Sequence, residues 1–210
     1  MIEGIFVKII SFEKLDGKMN LIFEDESKLE VTEEDYLSLC LYEREEMSRD
    51  EYDCINRNTQ VKKARIDAIK FISYKIRACK EVYQRLEKLD YGNEIIELTI
   101  ESLIKDKYLD DLDYARRYTR TKIKLNKISR KQLEIELAQK GIRDDIISAV
   151  DELDDIDEYG DIRKIVEKKY CIEELRDSKK KLKAMKYLYS KGYGTELIQK
   201  VIDEIINQDC

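Results

Sequence analysis

A chain of 210 residues with 41% charged residues and a mean hydropathy of −0.59 favours several small or elongated units over one large globule. It has no His, which removes any Ser–His or Cys–His nucleophilic pair, and no glycine-rich phosphate loop, so a non-enzymatic binding protein without cofactor or metal is expected. No apolar run reaches the roughly 18 residues of a membrane span, and Met1–Gly4 lacks a signal-peptide layout, so a cytoplasmic protein without membrane contact is expected.

Residues 5–31 are rich in β-formers. Ile5–Ile10, Leu21–Phe23 and Leu29–Val31, around the turn signal Asp16-Gly17, predict a small three-stranded meander that caps the first helical unit. Thr32 followed by Glu33, Glu34 and Asp35 predicts a capping box and a short helix carrying Tyr36, Leu37, Leu39, Cys40 and Leu41 inward. Ser48 with Glu51 repeats that signal, ahead of a longer pattern through Ile55, Val61, Ala64, Ala68, Ile69 and Ile72. With no Pro and only 7 Gly, little after this point interrupts helices.

One apolar pattern then recurs. Leu86, Tyr91-Gly92, Ile95-Ile96, Ile100 and Leu103 are followed by Leu137, Gly141-Ile142, Ile146-Ile147, Val150 and Leu153, then by Leu188, Gly192-Tyr193, Leu197-Ile198, Ile202 and Ile205. Both start-to-start offsets are 51 residues, which indicates a repeat of one supersecondary unit. In the first unit, helices are predicted near 62–75, 78–89 and 93–105. In the second, Asp110-Asp111 precede a helix, Ser129 caps the next, and Asp144-Asp145 open one holding Ile147, Val150 and Leu153. In the third, the polar stretch Leu175–Lys183 gives no clear boundaries. Gly141 and Gly192 stand where a helix ends in the left-handed conformation, with Asp90 at that place in the first unit. The expected architecture is mainly α, with tandem three-helix repeats at 60–109, 110–159 and 160–210 in an elongated, curved solenoid behind an acidic N-terminal part, 1–59.

Acidic pairs such as Asp110-Asp111 and Asp154-Asp155 read as helix-start charges, with metal ligation as the alternative. The cysteines Cys40, Cys54, Cys79, Cys171 and Cys210 have no paired spacing and are expected to be reduced thiols.

The net charge of −6 conceals an alternation. Residues 114–143 hold ten Lys/Arg against two Asp/Glu, residues 144–161 hold nine acidic residues and no basic ones, and residues 162–200 hold twelve basic against five acidic. Arg116, Arg120, Lys124, Lys127 and Lys131 follow one helix face if a single helix runs through them, with Arg117, Lys122 and Arg130 nearby. Lys70, Arg77 and Lys80 extend this set into the first unit. The pattern has two readings, a solvated charged face or a contact for phosphates or an acidic partner. Tyr83, Tyr91, Tyr114, Tyr118, Tyr187 and Tyr189 read either as core tyrosines or as base-stacking rings.

The stretches Tyr108–Arg116 (YLDDLDYAR) and Arg130–Ile142 (RKQLEIELAQKGI), with Ala68–Lys75 and the strand-rich start, resemble the RecX family of bacterial RecA regulators. Relatives often carry Gly and Pro where this chain has Lys127-Ile128-Ser129. The resemblance implies three three-helix units that lie in the groove of the RecA filament on single-stranded DNA, and the chain is expected to act as a monomer. It implies weakened ATPase, strand-exchange and coprotease activities in DNA repair and the SOS response, with DNA contacted directly or through RecA. A helical DNA-binding module acting without RecA is the alternative, and a scaffold binding a protein through the acidic N-terminal part is a third.

Overall fold

The computed structural model describes residues 6–15, 17–125 and 128–207. Ile5, Asp16, Lys127 and Cys210 lie outside them. The chain forms two compact units, one of residues up to 76 with 82–109, the other of residues 77–81 with those from 110 onward.

The first unit opens with an antiparallel sheet of β1 (Phe6–Leu15), β2 (Lys18–Phe23), β3 (Lys28–Thr32) and β4 (Glu46–Ser48), in the order β3-β2-β1-β4. The expected meander is therefore one strand short. β4 carries no run of β-formers. It exists because β1 supplies its partners, from Phe6 opposite Ser48 to Lys8 opposite Glu46. Ile9, Leu21, Phe23, Leu29, Val31, Leu41 and Met47 build the core under the sheet, closed by Tyr52 and Ile55.

Thr32 caps α1 (Glu33–Ser38) by accepting the Asp35 N–H, and Ser48 caps α2 (Arg49–Ser73) by accepting the Glu51 N–H. Of the residues expected inward near α1, Leu41 is fully buried, whereas Leu37, Leu39 and Cys40 are exposed. Six residues of helix end before one face is sealed, and the chain turns through Cys40 in a left-handed conformation (φ 50°). α2 starts at Arg49, as the Ser48 signal predicts, and runs unbroken to Ser73, taking in most of the stretch 62–75 read as the first helix of the first repeat. It is followed by α3 (Cys79–Glu87) and α4 (Asn93–Lys105). Arg65 on α2 binds Ser102 and reaches Asp106 at 2.5 Å, tying α2 to α4.

The second unit holds α5 (Asp111–Leu125), α6 (Arg130–Gln139), α7 (Asp144–Ser148), α8 (Glu158–Lys169), α9 (Ile172–Arg176), α10 (Ser178–Ser190) and α11 (Thr195–Asn207). One expectation fails here. α7 ends after five residues, and the chain passes through an extended Val150 into a 3-10 turn at Asp151–Leu153. That break lets Val150 and Leu153 both enter the core with Tyr114, Ala115, Leu133 and Leu137. In the middle of the third repeat, where the sequence gives no clear boundaries, α9 and α10 are separate because Asp177 is extended and caps α10 by accepting the Lys179 and Lys180 N–H groups.

The 51-residue period is visible in the backbone. Tyr91, Ile142 and Tyr193 each donate an N–H to the carbonyl five residues back, on Leu86, Leu137 and Leu188, at 3.3, 3.1 and 3.4 Å. The residue before each is left-handed: Asp90 at φ 61°, Gly141 at 87° and Gly192 at 90°. These are Schellman-type ends, and each leads directly into the next helix. Within the second unit the turns also interlock with an earlier helix. A Cβ on Gly141 would overlap the stem of Lys80, and one on Gly192 would overlap Ser129 Oγ. Ser129 Oγ donates to the Lys191 carbonyl at 2.9 Å while capping α6.

Candidate nucleic-acid interface

α5 begins where Asp110 accepts the N–H groups of Leu112 and Asp113 at 2.9 and 3.0 Å, and Asp111 accepts the Cys79 N–H at 2.8 Å. These carboxylates are occupied by backbone donors, which gives the acidic pair a structural role. Burial, then the charge of Asp111, pushes the Cys79 thiol up to about 12, so it stays protonated near neutrality. Among the described residues no three Cys, Asp or Glu side chains are grouped to hold a metal ion.

A stripe from Arg116 to Lys131 required one helix to run through them, and that condition is not met. α5 stops at Leu125 and α6 starts at Arg130, with Ile128 and Ser129 buried between them. The basic residues of α5 turn instead to acidic neighbours in the same repeat. Arg120 meets Glu152 at 2.6 Å, and Arg116 lies 3.6 Å from Asp151 and 3.8 Å from Glu152. Glu152 is only 8% exposed, so this pairing supplies the counter-charge its burial requires. Arg117 pairs with Asp113 at 2.9 Å. Lys122 pairs with Glu136 at 2.6 Å, which raises its pKa. Arg130 is held by Glu134 and Asp154 at 2.9 and 2.6 Å, and both raise its pKa.

Of the first-repeat candidates, Lys70 lies 3.7 Å from Asp67 and Arg77 lies 3.9 Å from Glu81. Lys80 donates to the Gln139 carbonyl at 3.2 Å, at the end of α6. That leaves Lys124 and Lys131, both exposed, without an acidic partner among the described residues.

The tyrosines separate in the same way. Tyr83 donates to Asn93, Tyr91 to Asp67 and Tyr118 to Glu136, while Tyr114 is buried and stacks on Tyr118 at 6.0 Å. Tyr189 is 62% exposed, and the Tyr187 ring lies near two ammonium groups, Lys169 Nζ at 3.8 Å and Lys191 Nζ at 5.9 Å from its centroid. Lys169 is also the main reason that the Tyr187 hydroxyl has a lowered pKa.

The third repeat thus holds cations that were not singled out from the sequence. Lys180 pairs with Glu174 at 3.0 Å and Lys181 with Asp203 at 2.6 Å. Lys164, Lys168, Lys169, Lys179, Lys183 and Lys186 are exposed and have no acidic partner among the described residues. The available signal was the count of twelve basic residues over 162–200, the largest of any segment.

The family models for the second and third three-helix domains of RecX match residues 110–150 and 156–202. The regulatory protein RecX of Bacillus cereus (strain G9842) is 32% identical over 155 residues, covering 70% of this chain and 56% of the relative. That of Bacillus anthracis (strain CDC 684 / NRRL 3495) is equally similar over the same shares. The match thus spans little more than half the length of these relatives. A crystal structure of a regulatory protein RecX superposes with a TM-score of 0.71 at 22% identity, covering 94% of this chain and 99% of the other, and shows the shared fold. RecX from Lactobacillus salivarius gives 0.59 at 28% identity, over 69% and 96%. Together with the turns that recur every 51 residues, these matches assign the chain to the RecX family.

Proposed function

We propose that this chain is a non-enzymatic modulator of the recombinase RecA that binds the RecA filament on single-stranded DNA and lowers its ATPase, strand-exchange and coprotease activities in DNA repair and the SOS response. The reading includes three repeats at 60–109, 110–159 and 160–210 behind an N-terminal part, 1–59, acting as a monomer in the cytoplasm. The observation that carries it is the pair of successive RecX domain matches on interlocked three-helix units. Alternating charge suits a partner made of both protein and phosphate. The test is RecA ATPase on single-stranded DNA with substoichiometric protein. A fall in turnover is expected, and unchanged turnover at an equimolar ratio overturns the reading.

A second reading, a helical module that binds DNA without RecA, is favoured by the lysines of the third repeat that have no acidic partner. It requires direct binding to DNA that weakens steeply with salt and no effect on RecA turnover.

A further inference from the structure

The lysines of the third repeat do more than remain unpaired, because two of them lie against one aromatic ring and a third lines the adjoining cleft. An open cleft of about 420 Å³ is lined by Lys169 and Tyr170 at the end of α8, Glu174 on α9, and Lys180 and Lys183 on α10. Glu174 is neutralised by Lys180 at 3.0 Å. Lys183, Tyr187 and Lys191 follow one another at four-residue steps, so they share a face of α10 and its C-cap. Lys169 comes over the Tyr187 ring from α8, and Lys191 approaches from beyond the end of α10.

Ammonium groups gathered in this way repel one another. The ring's negative face offsets part of that repulsion. No carboxylate among the described residues pairs with Lys169, Lys183 or Lys191. In the second repeat, by contrast, Arg116 and Arg120 share Glu152, and Arg130 shares Glu134 and Asp154. An anion from outside the chain would complete the cluster.

We propose that the cleft between the end of α8, α9 and α10 binds the phosphodiester backbone of single-stranded nucleic acid, with Lys169, Lys183 and Lys191 holding phosphates around Tyr187. A single strand fits because Tyr170 and Tyr187 place aromatic rings among the cations, and only unpaired bases expose faces that stack on such rings. The site deepens the function proposed above and rests on it only in taking this strand to be the one inside the filament.

The test uses the full chain and a fluorescently labelled oligo-dT strand of about 20 nucleotides, titrated by anisotropy from about 50 to about 300 mM salt. The triple variant Lys169→Gln/Lys183→Gln/Lys191→Gln is expected to lose at least tenfold in affinity at low salt. Its log–log salt slope should fall by about two, since each lost phosphate contact on a single strand removes about 0.7. Lys→Arg at the same three positions should retain binding. Lys8→Gln/Lys28→Gln/Lys105→Gln removes the same charge elsewhere and should bind like the parent. Circular dichroism should show all three variants folded.

The site is overturned if the parent does not bind the strand, if the cleft variant binds like the parent, or if the control variant loses as much. It is also overturned if a duplex binds more tightly than the single strand, or if poly-glutamate competes as well as oligo-dT. RecA ATPase on the same proteins separates the two proposals. Strand binding without an effect on RecA overturns the RecA reading and leaves the site standing.

Discussion

The basic residues of the second repeat and those of the third differ in what they face. On α5 and α6 all but Lys124 and Lys131 meet acidic partners from the same repeat, among them Asp113, Glu136, Asp151, Glu152 and Asp154, and most of their charge is met inside the fold. On α8 and α10, Lys169, Lys183 and Lys186 have no such neighbours among the described residues. Ten basic residues against two acidic ones over 114–143 therefore offer less to an external anion than the count suggests. The acidic run over 144–161 folds back onto the helices before it, as at Arg120 and Glu152, 2.6 Å apart, and so offsets their charge locally.

This contrast can be broken or sharpened by measurement, beginning with the framework that both repeats share. Leu137 and Leu188 occupy equivalent places and are both fully buried. Leu137→Ala and Leu188→Ala should each cost about 3 kcal/mol in urea unfolding, and clearly unequal losses would show that the two repeats are not equivalent frames. Gly192→Ala comes next. It places a side chain at φ 90° against Ser129 Oγ, for a cost of about 1–2 kcal/mol. At Gly92, with φ −67° and open space, the same change should cost about half a kcal/mol by the same assay.

The contrast itself is tested by Arg120→Gln against Lys183→Gln. Arg120→Gln removes a close counter-charge from buried Glu152 and should destabilise by about 1 kcal/mol, its own exposed end limiting the loss. Lys183→Gln should stay within about 0.5 kcal/mol and weaken single-strand binding instead. If Arg120→Gln leaves stability unchanged and weakens strand binding more than Lys183→Gln does, the assignment of the two regions is reversed.

The smallest effect is in pH. Burial pushes the Glu136 carboxyl up, but hydrogen bonds from Lys122 and Tyr118 outweigh it and hold the pKa below its ordinary 4.5. A depressed carboxylate contributes stability that is fully present above that ordinary value and lost as pH falls through the folded value. Glu136→Gln should therefore flatten the stability profile below about pH 4.5. A profile as steep as the parent's would remove Glu136 from the acid response.

Much of the framework is local, and was legible for that reason. Caps at Thr32, Ser48 and Ser129 and left-handed ends at Asp90, Gly141 and Gly192 depend on a few neighbouring residues, and the structure has them at the expected places. The elements misread from the sequence depend on distant partners. β4 is held by β1, and α7 yields to the core requirement of Val150 and Leu153; the exposure of Leu37 and Leu39 is instead local, because α1 is too short to seal a face.

The amino-acid sequence by itself determined a helical repeat of 51 residues, its turn chemistry and the family that the chain belongs to, because period and backbone conformation are encoded within a few turns of chain. Only the tertiary structure decided which cations are available to a partner. An ion pair such as Arg120–Glu152 joins residues 32 positions apart, and no spacing along one helix reveals whether a carboxylate waits opposite.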